Sequence, residues 1–227
     1  FQLAPEIDVS VVDDSSPDGT ADVIREALAQ KPEWKNRFHL IVRSKKDGRG
    51  GAIREGFRQG FESPKNYDYF IEMDCDFSHR PEAIVEGIAQ LDAGKDVVLG
   101  SRYPNGTIEG WPVTRHVLSF FANTLARTLI SWSIADYTNG FRFYTRRSVQ
   151  ELLKYEQKHK GYIYLSESLS QLLRAGMKVG TFPIFFKNRE RGVSNTSLTE
   201  VKNAFTGVFQ IGWEHRFGGS KKTSLPR

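Results

Sequence analysis

"YDYFIEMDCDFSHRPE", residues 67–82, is an apolar run that ends in two aspartates and then enters a proline-led segment. The run reads as a β-strand, and Pro81 stands where a helix begins, with Ile84, Ile88 and Leu91 at helical spacing behind it. A strand feeding a helix is half of a β-α-β unit. Alternate strand residues share a face, so Asp74 and Asp76 are expected on one side, about 7 Å apart, with Cys75 on the other. Like charges that close are costly under cover unless a cation lies near them. Ser78 or Asp76 can instead cap the following helix. Ser78 does that without either aspartate, so the pair is read either as part of a cap-rich turn or as a metal or phosphate–metal site.

The same alternation extends in both directions. "IDVSVVDD" (7–14) reads as a strand, followed by a helix from Thr20 to Lys31 with Val23, Ile24, Ala27 and Leu28 on one face. "FHLIVRS" (38–44) is a second strand, then come the glycine-rich "KKDGRGGA" (45–52) and a helix from Ala52 to Phe61. "DVVLGSRY" (96–103) is a fourth strand. This order predicts a parallel, doubly wound α/β sheet with its ligand at the carboxyl ends of the strands. Asp13 and Asp14, the glycines around Arg49, the Asp74/Asp76 pair and Arg102 all fall on that rim. The second half reads as a helix over Val113–Ser131, a strand in "GFRFYTR" (140–146), helices near Ser148–Lys158 and Ser166–Ala175, a strand in "KVGTFPIFF" (178–186) and a helix over Leu198–Gly212. One domain is expected over residues 1–213, with 214–227 a mobile basic tail.

The 227 residues carry a net charge of +5, which favours an anionic partner: nucleotide, phosphorylated substrate, acidic membrane surface or nucleic acid. The single cysteine excludes an internal disulfide and a cysteine-based zinc site; Cys75 is expected to be a buried strand residue in a reducing compartment. The opening "FQLAPEIDVS" lacks a basic head with an apolar run behind it, and no stretch approaches 18 uninterrupted apolar residues. The basic residues are scattered with no nucleic-acid motif among them, so nucleic acid is the weakest of the anionic partners.

On the rim, "DDSSPDGT" (13–20) is either a cap-rich turn or a pair of carboxylates that accept hydrogen bonds from a base or ribose. "GRGGA" (48–52) offers Gly48 and Gly50 backbone N–H groups at a helix N-terminus, with the Arg49 charge beside them, which suits an anion. Neither the dinucleotide fingerprint nor the phosphate-loop lysine is present. Together with Asp74 and Asp76 these describe a nucleotide whose diphosphate is held by a divalent ion.

In order and spacing, "VVDDSSPDGT", "GRGGAIREGF", "EMDCDFSHRPE", "VVLGSRY", "GW", "SFFAN", "TNGFRFY" and "FKNRERGVSN" resemble the polyprenol-phosphate (dolichol-phosphate) mannosyltransferases, inverting family-2 glycosyltransferases of GT-A fold. The resemblance spans residues 7–210. It implies a Rossmann-like, mixed but mostly parallel sheet flanked by helices, with the family's first strand and its base-holding loop not expected in these residues. It also implies that Asp76 coordinates Mg²⁺ or Mn²⁺ on the donor diphosphate, with Asp74 on the sugar or metal and Ser78 near the third ligand position. Asp13 and Asp14 would lie beside the nucleoside. Arg102, Arg115 and Ser119 would hold the acceptor lipid's phosphate, and Arg191 would cover the donor diphosphate. Phe120 and Phe121 replace the family's arginine and glycine, and Asn195 replaces its loop lysine.

Of the aromatic residues beside these motifs, Trp111 and one of Phe120 and Phe121 are expected to meet the bilayer, and Leu125 and Leu129 the core. Arg142 is expected to be a buried ion-pair partner and His79 a loop hydrogen-bonder; Glu167 matches a family glutamate whose role is left open. The expected activity is transfer of a hexose, mannose from GDP-mannose, to a polyprenyl or dolichyl phosphate. The expected place is the cytosolic face of a membrane, with an anionic lipid surface as partner and a separate membrane subunit left open. The rival readings are the same fold with another donor such as UDP-glucose or a soluble acceptor, and a non-catalytic module that binds lipid phosphate or a partner.

Overall fold

A computed structural model describes residues 6–45, 47–188 and 198–218. Strands β1 (Val9–Asp13) and β2 (Phe38–Val42) pair in parallel through the crossover helix α1 (Thr20–Ala29). They form a separate two-stranded sheet. Helix α2 (Gly48–Glu62) leads to β3 (Tyr69–Glu72), α3 (Ile84–Asp92) and β4 (Val97–Ser101). A short β5 (Thr107–Glu109) precedes the long α4 (Val113–Leu129). The remainder is β6 (Arg142–Thr145), α5 (Arg146–Leu153), α6 (Tyr164–Arg174), β7 (Val179–Pro183), β8 (Phe185–Lys187) and α7 (Leu198–Phe217).

The central sheet has the order β3-β6-β4-β7. β6 enters between β3 and β4 and runs antiparallel to both, whereas β4 and β7 are parallel. The mixed sheet expected from the resemblance is therefore present, and the wholly parallel one expected from the β-α-β order is not. The reason is that a strand from the second half of the chain takes the position between two strands of the first. The segment read as one strand over 178–186 divides at Ile184: β7 continues the central sheet, and β8 pairs in parallel with β5.

The alternation along the strands feeds two apolar layers. Val97 and Leu99 of β4 and Tyr144 of β6 face a core built with Phe57, Phe70, Val149, Leu169, Leu172 and Ile211. Val98 and Phe143, one residue out of phase, face the opposite layer with Leu91, Phe141, Phe182, Ile184 and Phe186. All five residues of β4 are buried, as a central strand covered on both faces requires. Leu125 and Leu129 pack against the first core, as expected.

Four local expectations are corrected. β3 stops at Glu72, opposite the first residue of β6, so Asp74 and Asp76 lie in the turn beyond it and the shared-face argument does not apply. Phe77 in that turn has φ 62°, which breaks any extended pattern, and Cys75 is exposed rather than buried. The glycines of "GRGGA" are the first turn of α2 rather than a loop before it. Finally, α7, expected over Leu198–Gly212, continues to Phe217, and residues 219–227 of the expected tail lie outside the described residues. There Glu214 pairs with Lys158 (2.7 Å) and Arg216 donates to the Thr128 carbonyl (2.6 Å).

Candidate active site

Beyond the end of β3, one arginine gathers two carboxylates. Arg49, on the first turn of α2, donates through Nη1 to Asp74 and through Nη2 to Glu72 (3.0 Å). Glu72 is 2% exposed and also accepts hydrogen bonds from the Tyr164 and Tyr144 hydroxyls. Burial raises the Glu72 carboxyl above the ordinary range, against the pull of Arg49 and Arg142. Burial works against the Arg49 charge, and Glu72 and Asp74 outweigh it, so Arg49 stays cationic. The charge expected to await an anion is thus spent on aligning Asp74.

The turn that carries Asp74 and Asp76 is held by its own residues. The Asp74 N–H donates to His79 Nδ1 (3.3 Å), which fixes the imidazole proton on Nε2, where it meets Asn139 Oδ1 (3.0 Å). His79 is 2% exposed and stacks on Phe141 with ring centroids 5.0 Å apart. Asp76 Oδ1 accepts the Ser78 N–H (3.1 Å). The Ser78 hydroxyl is buried with no hydrogen-bond partner. Among the described residues no cluster of three or more His, Cys, Asp or Glu side chains is arranged for a metal ion. Two carboxylates beside an unsatisfied buried hydroxyl nevertheless fit a divalent ion of the kind that takes one or two protein carboxylates and completes its shell with substrate phosphate oxygens.

Asp13 and Asp14 stand at the end of β1, next to the end of β2. Asp13 accepts the Ser16 N–H (3.1 Å), a turn contact. Asp14 Oδ1 lies 3.2 Å from Arg43 Nε, and Arg43 Nη1 is buried without a hydrogen-bond partner. Arg43 lies against Gly51 of the first turn of α2, where an added Cβ would come 3.2 Å from its guanidinium. That turn is partly satisfied from within: the Gly50 N–H donates to the Lys160 carbonyl (2.9 Å). Gly48 has φ +72°, and a Cβ there would sit 2.4 Å from the same carbonyl oxygen, so only glycine fits.

Opposite the acidic turn is a cationic corner. Arg102, 6% exposed, donates through Nε and Nη2 to the two oxygens of Asp136 (2.8 Å each) and through Nη2 to Thr138 Oγ1 (2.6 Å). Burial opposes the charge on both partners, and their pairing outweighs it, which holds the Asp136 carboxyl below its ordinary range. The Trp111 ring lies 5.0 Å from Arg102 Cζ and 4.2 Å from Arg115 Cζ. Its Nε1–H is buried without a partner. Arg115 also donates to Asn188 Oδ1 (2.9 Å). Ser119 Oγ meets the Tyr103 hydroxyl (3.1 Å). The two sides adjoin through aromatic rings, since Phe186 touches both His79 and Trp111, at 5.4 and 5.6 Å between centroids, and Arg102 feels the charge of Asp74.

The structure thus brings together Arg49, Asp74, Asp76 and Ser78 on one side and Arg102, Arg115 and Ser119 on the other. Asp13 and Asp14 stand near α2 through Arg43, and Arg191 lies outside the described residues. Trp111, expected at a bilayer, is half-buried in the cationic corner. Arg142 is buried as expected, but it donates to the carbonyls of Asn139, Leu165 and Tyr137 rather than to a carboxylate. Residues that sequence reasoning missed are Glu72, Tyr164, Arg43, Asn139 and Asp136. Asp136 carried a signal, because a buried arginine demands a carboxylate and "SIADY" supplies one in an apolar setting.

A glycosyl transferase family 2 model matches residues 2–153. The chain is 37% identical over 209 residues to a polyprenol monophosphomannose synthase of Mycolicibacterium smegmatis, covering 92% of this chain and 77% of that protein. It is 35% identical over 216 residues to an undecaprenyl-phosphate mannosyltransferase of Micrococcus luteus, covering 95% and 86%. Among solved structures, a mycobacterial protein superposes with a TM-score of 0.60 at 18% identity, the match covering 94% of this chain and 66% of that one. Glucosyl-3-phosphoglycerate synthase from Mycobacterium tuberculosis, crystallised with Mn²⁺, UDP and phosphoglyceric acid, superposes at 0.58 with 14% identity, over 97% and 82%. At those identities the structures speak for the fold alone. Sheet, acidic turn and family match agree: the chain belongs to glycosyl transferase family 2.

Proposed function

We propose that the chain transfers mannose from GDP-mannose to a polyprenyl phosphate at the cytosolic face of a membrane. The observation that carries this is the acidic turn of Asp74 and Asp76 facing the Arg102–Trp111–Arg115 corner across Phe186. One side suits a metal-bound donor diphosphate, and the other suits an acceptor phosphate. The names of the two mannosyltransferase relatives support the same reading.

The chain's own residues then divide the work. Asp76 and Asp74, with Ser78 beside them, would hold Mg²⁺ or Mn²⁺, which when bound supplies charge neutralisation to the departing nucleoside diphosphate. Arg49 keeps Asp74 aimed, anchored by Glu72. Asp13 and Asp14 lie toward the nucleoside, with Gly48 and Gly50 shaping the floor at the start of α2. Arg191, outside the described residues, would by the resemblance cover the donor. Arg115 and the Trp111 Nε1–H meet the acceptor phosphate, with Ser119 beside them, and Arg102 holds the Trp111 ring and adds positive potential. The phosphate, with its second pKa about 6, is already largely dianionic at neutral pH, so its oxygen attacks the anomeric carbon without a strong base. The bond from that carbon to the diphosphate breaks with inversion. Orientation and charge placement are what remain for the protein to supply.

A lipid acceptor is favoured over a soluble one by an exposed apolar face. Val113, Val117, Phe120 and Phe121 of α4 are 76%, 48%, 60% and 58% exposed, and Phe209, Trp213 and Phe217 of α7 are 56%, 68% and 68% exposed. Val113, Val117, Leu118, Phe121 and Phe205 line an open groove of about 560 Å³ between the two helices. No helix among the described residues is long and apolar enough to cross a membrane, so this face docks on anionic lipid rather than spanning it. The test is a matrix of radiolabelled GDP-mannose and UDP-glucose against polyprenyl phosphate and phosphoglycerate. Label in the lipid phase from GDP-mannose alone is expected; label only in a soluble product would overturn the reading.

A further inference from the structure

Glu167 is 6% exposed, and its carboxylate bonds no cation among the described hydrogen bonds and ion pairs. Oε1 accepts the Lys158 N–H and Oε2 the His159 N–H, each at 2.9 Å. A side chain that spends both oxygens on two consecutive backbone amides fixes a turn. Gln157 secures the same turn from the other side, donating through Nε2 to the His159 carbonyl (2.6 Å).

The next residue reaches the donor side. The Lys160 carbonyl accepts the Gly50 N–H at 2.9 Å, and it lies so close to Gly48 that no Cβ fits there. Lys160 Nζ also pairs with Asp47 at 2.6 Å. Arg49 therefore stands between two residues that touch one carbonyl, and it is the residue that binds Asp74 and Glu72. The turn is packed from above as well. A Cβ at Gly50 would clash with Gln157 Nε2 and come within 2.8 Å of the Tyr164 Cβ, so the helix start has no room for a side chain at that position.

We propose that Glu167 is a positioning residue of the donor side, acting through the Lys158–Lys160 turn to fix the first turn of α2 and hence the Arg49–Asp74 contact. Glu167 touches no reacting atom. Its two oxygens set where the Lys160 carbonyl stands, and that carbonyl sets where Arg49 begins. The inference rests on the reading of Asp74 as a donor-side residue.

The test measures binding of Mn²⁺–GDP by calorimetry, with KM for polyprenyl phosphate as the comparison. A glutamine at 167 keeps the shape but offers an NH₂ group to one of the two N–H donors. Glu167→Gln is expected to weaken Mn²⁺–GDP binding on the order of tenfold, the size of one lost charge-assisted hydrogen bond, and to leave acceptor KM within about twofold. Gln157→Ala, on the half-buried side of the turn, should weaken it less, and the double variant should fall short of the product of the two, because both act on one turn. Leu172→Val, a destabilising change in the core that does not touch the turn, should leave both constants unmoved. If Glu167→Gln does not fold, Gln157→Ala carries the test alone. Wild-type nucleotide affinity in the folded variants, or an equal loss in Leu172→Val, would overturn the proposal and leave the functional reading standing. A wild-type protein that binds no Mn²⁺–GDP would overturn both.

Discussion

Arg102 and Asp136, 34 positions apart, form a doubly hydrogen-bonded pair in the interior, with the Asp136 carboxylate also accepting the Arg102 backbone N–H at 3.0 Å. An arginine so committed has little freedom to follow a ligand. It serves as a fixed support for Trp111, whose ring it faces at 5.0 Å. Removing its partner strands a buried charge. Asp136→Ala is therefore expected to cost roughly 3–5 kcal/mol of stability, read as a lowered urea midpoint. A variant as stable as wild type would show that the pair does not bear on the fold.

Trp111 and Arg115 separate binding from stability. Trp111→Phe keeps the ring between the two arginines and deletes an N–H that has no partner in the free protein. Its melting temperature should barely change, while KM for polyprenyl phosphate rises severalfold. Arg115→Ala should raise that KM roughly ten- to hundredfold, the size of one or two charge-assisted hydrogen bonds, and leave Mn²⁺–GDP binding intact. Equal loss of nucleotide binding would move Arg115 to the donor side.

His79 gives the fold a pH dependence. Burial pushes its pKa below the ordinary 6.5, because the imidazole loses water where Phe141 and Phe186 enclose it. Below 6.5 the unfolded chain binds a proton at this site that the folded one resists. The stability tied to neutral His79 is thus fully present above 6.5 and is lost as pH falls from there through the folded value. Urea midpoints between about pH 7.5 and 5.5 should fall for wild type and fall less for His79→Gln. Parallel slopes would contradict the assignment.

How much of this was legible in the sequence depended on the range of the interaction. "DVVLGSRY" announced a strand, and Leu125 and Leu129 announced core, because hydrophobic periodicity is local. The insertion of β6 between β3 and β4 was not legible, since strand neighbours are chosen by tertiary packing rather than by order in the chain. Asp74 and Asp76 stood out by type and spacing, but their place in a turn depends on β6 running out of backbone partners at Arg142. Arg49 was seen as a free cation because its counter-charges, Glu72 and Asp74, are more than twenty residues away. For the same reason Glu167 had no visible role until the turn at Lys158–Lys160 was seen against α2.

The exposed face of α4 and α7 should bind vesicles weakly. Each of Phe120 and Phe121 can add about 1.5–3 kcal/mol if fully inserted, alongside attraction of the +5 chain to anionic headgroups. Co-sedimentation with phosphatidylserine vesicles is expected at low salt, with release at about 0.5 M NaCl. Replacing both phenylalanines with serine should weaken what binding remains. Indifference to salt, lipid charge and both substitutions would sink the docking surface while leaving the chemistry untouched.

The acidic turn beyond β3 is proposed to hold the donor for transfer to a lipid phosphate. Its most direct test is the rate at which radiolabelled mannose passes from GDP-mannose to polyprenyl phosphate in Mn²⁺ or Mg²⁺, measured side by side for wild type and Asp76→Ala. Asp76 is half-buried in a turn outside both apolar layers, so the variant should melt close to wild type. Wild type is predicted to transfer label only with a divalent ion present, and Asp76→Ala to lose transfer by a factor of at least about a hundred, the scale set by removing a group that positions transition-state charge. A folded Asp76→Ala protein that turns over at the wild-type rate would contradict the account.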